Sequence, residues 1–69
     1  MLIKVTEFDD EVILVNTNAI AFVRNNKHSD LDAKTAIRLI TNSKETDNVL
    51  YVKESMHEIL NKVSVNPLF

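Results

Sequence analysis

The chain has 69 residues, no cysteine, ten acidic and eight basic side chains, and a net charge of −2. A chain this short makes one domain, 1–69, and buries only about 60% of its unfolded surface, so it needs an outside aid to stability. With no cysteine that aid is neither a disulfide nor a thiolate metal site. A net acidic chain also lacks the basic face that duplex nucleic acid requires.

Other classes fall away for equally simple reasons. The two histidines, His28 and His57, show no ligand-like spacing, so no metal and no cofactor is expected. No apolar run approaches the length of a membrane span, and the first residues lack the form of a signal peptide; the expectation is a cytoplasmic protein with no membrane partner. Glycine is absent, which removes phosphate-cradling loops and nucleophile elbows. It also means that Asn or Asp must serve wherever the backbone turns left-handed.

Residues 2–8, LIKVTEF, read as a strand with Ile3 and Val5 on one face and Lys4 and Thr6 on the other. Asp9-Asp10-Glu11 is an acidic turn, and VILV (12–15) is a second strand, apolar on both faces. Asn16-Thr17-Asn18 turns the chain into AIAFVR (19–24). This run is either a strand or a single helical turn followed by a strand, with Ile20, Phe22 and Arg24 on one side. NNKHSDLD (25–32) is a polar loop, expected to be the most mobile stretch; His28 with Asp30 and Asp32 reads as solvated loop rather than metal site.

KTAIRLIT (34–41) alternates, with Ile37 and Leu39 opposite Ala36, Arg38 and Ile40. NSKETDN (42–48) is a second polar loop. VLYV (49–52) is the last strand, with Leu50 and Val52 facing one way and Val49, Tyr51 and Lys53 the other. The period then changes. Met56, Ile59, Leu60 and Val63 form a helical stripe, and Ser55 with Glu58 has the spacing of a capping box. The helix spans 55–63, its stripe is expected on the sheet face of Leu50 and Val52, and an apolar tail, 64–69, ends in Leu68-Phe69. His57 lies off the stripe and reads as a surface residue.

The expected fold is α+β, mainly β: a five-stranded antiparallel sheet or half-barrel followed by one C-terminal helix, since every connection is too short for a parallel crossover. One helix covers one side only. The apolar residues on the other side of the second and third strands point to a second copy of the chain, and Leu68-Phe69 has the same choice between its own subunit and a neighbour.

The order Ile3-Lys4-Val5-Thr6, Val15-Asn16, Ile20, and Val52-Lys53-Glu54-Ser55 before a helix resembles the small FlbD-type proteins associated with flagellar operons. The resemblance runs over most of residues 2–63. The chain departs from it at Asp9-Asp10, where the family has an Asn-Gly-like pair, and in its longer polar loops. Similar small β-proteins occur in phage genomes. The resemblance implies the fold and a protein-interaction adaptor or regulator.

The residues point to another role. Alternation gathers Arg38, Tyr51 and Lys53, joined by Arg24 and Phe22, on the sheet face away from the helix; an aromatic among cations is what holds a base or a phosphate. The alternative is the polar outer face of an ordinary sheet. No nucleophile–base pair or phosphate loop is present, so catalysis is not expected. The expected function is a homo-oligomeric binding protein that sequesters a small anionic, nucleotide-type ligand at a sheet face or subunit junction, as a phage-encoded protein would; the adaptor is the second expectation.

Overall fold

A computed structural model describes residues 1–40 and 48–63. The second polar loop (42–48, all but Asn48) and the apolar tail 64–69 lie outside the described residues. What is described is mainly β. β1 (Leu2–Thr6) and β2 (Val12–Asn16) form an antiparallel ribbon. A 3-10 turn (Thr17–Ala19) leads into β3 (Ile20–Asn25), which forms a three-stranded antiparallel sheet with β4 (Thr35–Leu39) and β5 (Val49–Val52), in that order. α1 (Met56–Val63) follows. No helix among the described residues is long and apolar enough to cross a membrane.

The first hairpin shows how a glycine-free chain turns. Glu7 N–H donates to the Glu11 carbonyl at 2.8 Å and Asp10 N–H to the Glu7 carbonyl at 2.9 Å, closing a three-residue loop. Asp10 takes the left-handed position with φ 73°, where glycine would be usual; Asp is among the few other residues that adopt it readily. Asp9 Oδ1 accepts the Glu11 N–H at 3.2 Å.

The sequence favours one five-stranded antiparallel sheet or half-barrel; the five strands are there and antiparallel, but they divide into two sheets joined at a seam. At the seam Glu7 and Val52 form a lone antiparallel bridge, flanked by Lys53 N–H to the Thr6 carbonyl (2.8 Å) and Phe8 N–H to the Tyr51 carbonyl (3.0 Å). The ladder stops because the chain turns away at Glu54 to begin the helix. Where the next carbonyl would stand, the Glu54 carboxylate accepts the Thr6 N–H with both oxygens, at 2.9 and 3.0 Å. The Glu54 carbonyl in turn accepts the hydroxyl of fully buried Thr35 at 2.6 Å. A side chain therefore finishes the join that backbone pairing begins.

The core lies between the sheets. Ile3, Val5 and Val15 come from the ribbon, Ile37 and Val52 from the second sheet, and Ile59 from the helix. Ile13, Ile20, Val23, Leu39 and Leu50 pack around them. The alternation of β1, β4 and β5 holds as the sequence implies. In β3 it fails: a bulge between Ile20 and Phe22 sends Ile20 to the core and leaves Phe22 and Arg24 on the other face.

The capping box forms, with Ser55 N–H donating to Glu58 Oε1 (2.8 Å) and Glu58 N–H to Ser55 Oγ (3.1 Å), so Ser55 caps the helix from outside it. The helix stripe is less buried than its period suggests. Ile59 is 4% exposed, but Met56, Leu60 and Val63 stay exposed, Leu60 at 57%. The helix meets β3 rather than lying along β5, and its eight residues are too few to cover the sheet.

Candidate functional site

Registers across β3, β4 and β5 place six side chains in two rows on the face away from the core. One row is Phe22–Arg38–Val49, the other Arg24–Ala36–Tyr51. Ala36 decides the shape. Its methyl is the smallest of the six side chains and sits mid-sheet, so the longer ones stand around a depression rather than a flat surface. The result is an open cleft of about 400 Å³.

The loop between β3 and β4 supplies the remaining wall. Asn26 folds this loop with one side chain: its Oδ1 accepts the His28 N–H (2.9 Å), and its Nδ2 donates to the carbonyls of His28 (3.1 Å) and Ala33 (2.9 Å). The tight return carries Lys27 and His28 back over the sheet. His28 meets the Tyr51 ring edge to face, centroids 5.4 Å apart and planes at 85°. Asn25 completes the lining.

The cleft is cationic and aromatic. Arg24, Lys27 and Arg38 line it, and no carboxylate does among the described residues. The Arg24 guanidinium lies over the Phe22 ring at 5.1 Å from its centroid, a cation–π contact that orients its donors. Such a surface offers a planar ring a place to stack and an anion a forked donor.

Of the five residues singled out from sequence, four come together here: Arg38, Tyr51, Arg24 and Phe22. Lys53 does not line the cleft. Its ammonium pairs with Asp10 Oδ1 at 2.5 Å and Asp32 Oδ2 at 3.2 Å, because the strand ends at Val52 and the bend turns Lys53 toward the hairpin tip and the far side of the loop. Those two partners, Asp10 first, raise its pKa above the ordinary 10.5. Lys53 instead braces the wall, since Asp32 belongs to the loop that carries Lys27 and His28.

Sequence reading places Val49 on this face but does not single out Asn25, Lys27, His28 or Ala36 as binding residues. The loop residues look solvated in a polar run; Asn26, a residue that bonds its own backbone two positions on, is the signal of an ordered turn there. At the hairpin tip Glu7, Asp9 and Glu11 bring carboxylate oxygens within 4.8 Å of one another, two of the three residues being exposed. The sequence points to Asp9-Asp10-Glu11 as the acidic turn; here Glu7 takes the place of Asp10, which pairs with Lys53 instead.

A second cleft, about 480 Å³, lies between α1 and the start of the second sheet, lined by Thr17, Ile20, Val23, Met56, Ile59, Leu60 and Val63. It carries no charged side chain among the described residues.

Comparison with protein-family models, with curated proteins and with solved structures found no match.

Proposed function

We propose that this chain is a non-catalytic binding protein that captures a small anionic, nucleotide-type ligand in the cleft over Ala36. One observation carries the reading: in a chain of net charge −2, three cations and two aromatic rings converge on one concave surface that no carboxylate enters among the described residues. A phosphate takes the guanidinium forks of Arg38 and Arg24 while a base stacks on Tyr51 or Phe22. A protein that binds such a molecule without converting it lowers its free concentration. That is sequestration, and it suits a phage-encoded protein acting in the cytoplasm.

Titration calorimetry against inorganic phosphate, mononucleotides and cyclic nucleotides tests this. Saturable heat is expected with nucleotides. Arg38→Ala and Tyr51→Ala should each weaken binding about tenfold or more, since a stacked base contributes roughly 1–3 kcal/mol. Affinity should fall as salt rises, because exposed charges are screened. Absence of heat with every member of the panel overturns the reading.

A second reading, the adaptor implied by the FlbD-type resemblance, draws on the uncharged cleft beside α1, where Met56 and Leu60 stand exposed. Apolar surface of this kind is typical of protein interaction sites. It survives if the nucleotide titrations fail.

A further inference from the structure

β2 pairs with β1 on one side and has a free edge on the other among the described residues. In an antiparallel pair, residues alternate between those that bond their neighbour and those whose backbone groups point away. Glu7 N–H to the Glu11 carbonyl at one end of the ribbon and Thr17 N–H to the Met1 carbonyl at the other fix the phase: odd-numbered residues of β2 bond β1. Val12, Leu14 and Asn16 therefore turn their N–H and C=O groups outward. β2 has no strand neighbour other than β1 among the described residues, so the outward groups of Val12 and Leu14 meet no strand there, while the Asn16 C=O opens the 3-10 turn that follows.

The edge is also unprotected. Proteins blunt free edges with lysine, proline, bulges or a covering element. The other outer strand, β3, has a bulge and the helix beside it. β2 has an unbroken register with β1, and residues 12–15 contain no charge and no proline. Val12 and Leu14 are 55% and 63% exposed, so nothing described covers them.

We infer that β2 pairs antiparallel with β2 of a second copy of this chain, about a two-fold axis at Leu14. The occupant follows from complementarity. Centred on Leu14, Leu14 faces the second copy's Leu14 and exchanges both backbone bonds with it, and the Val12 C=O faces the N–H of the second copy's Asn16. Electrostatics permits the pairing, because Glu11 at the strand end comes opposite an uncharged threonine, Thr17. A two-fold contact of this kind is self-complementary and closes at two copies. The two ribbons become one four-stranded sheet whose exposed face carries Leu14 of both copies at its centre, with Lys4 of each copy beside it.

Sedimentation and backbone amide exchange on the wild-type chain across the micromolar range test the proposal. A monomer–dimer equilibrium is expected, with protection of the Val12, Leu14 and Asn16 amides rising with concentration. Leu14→Lys, which sets two like charges opposite each other across the axis, should weaken the dimer more than tenfold. Leu2→Lys, on the same face but on β1, should weaken it much less. A monomer at every concentration overturns the proposal and leaves the edge to a strand from another protein. A dimer whose Leu14 amide exchanges freely overturns it too, and needs no variant. Equal loss from Leu2→Lys and Leu14→Lys would point to association through the exposed face instead, and would also overturn strand pairing.

Discussion

Four consecutive residues, Val52 to Ser55, do four different things. Val52 is fully buried and belongs to both sheets, through its register with Thr35 and its bridge to Glu7. Lys53 draws two acidic loops together, Glu54 closes the seam, and Ser55 starts the helix. Glu54 is the most exacting of these. Glu54→Ala strands the half-buried Thr6 N–H and should cost roughly 1–3 kcal/mol, whereas Glu54→Gln keeps one acceptor oxygen and should cost less; urea unfolding midpoints of the two variants check the order. The sequence marks these residues as a motif, but their roles depend on partners far along the chain, Asp10 being 43 positions from Lys53 and Thr6 48 from Glu54. Neither alternation nor capping rules reach that distance, which is why Lys53 reads as a ligand-binding residue from sequence and is a brace in the fold.

Among the elements, the helix was the most legible and the least self-sufficient. Its cap and stripe are local signals, and an eight-residue helix depends on the cap because isolated helices this short do not hold in water. Ser55→Ala should cost about 1 kcal/mol, read as a lowered melting temperature. The Glu58 carboxyl lies below its ordinary 4.5, chiefly because it accepts the Ser55 N–H. A carboxylate depressed on folding adds stability above that ordinary value and loses it as pH falls through the folded value. Melting temperature should therefore drop on acidification below about pH 4.5 more steeply in the wild type than in Glu58→Gln. The strands were nearly as legible, since alternation depends on neighbours alone. The bulge in β3 was not, because Ile20 changes face only when Leu39 and Arg38 fix where it pairs.

At the scale of the whole molecule, stability rests on a small shared core. A domain of this size has about 3–10 kcal/mol in all. Ile37, fully buried at the centre of β4, packs with residues from both sheets and the helix, so Ile37→Ala should remove about 2–5 kcal/mol and leave the chain largely unfolded at 37 °C by circular dichroism. Fold class could be read from the sequence because five short runs and one amphipathic helix admit few arrangements. The split into two sheets could not, because it depends on a carboxylate standing in for a carbonyl at the seam. The same economy appears at Asp10. Its backbone occupies the one left-handed position found among the described non-glycine residues, and its side chain holds Lys53, which also holds the cleft wall through Asp32. Glycine would relieve the turn and release the lysine; lysine-binding carboxylates that tolerate no left-handed backbone would do the reverse. Aspartate is the compromise residue, and a chain without glycine is here a chain whose tightest corner doubles as a clasp.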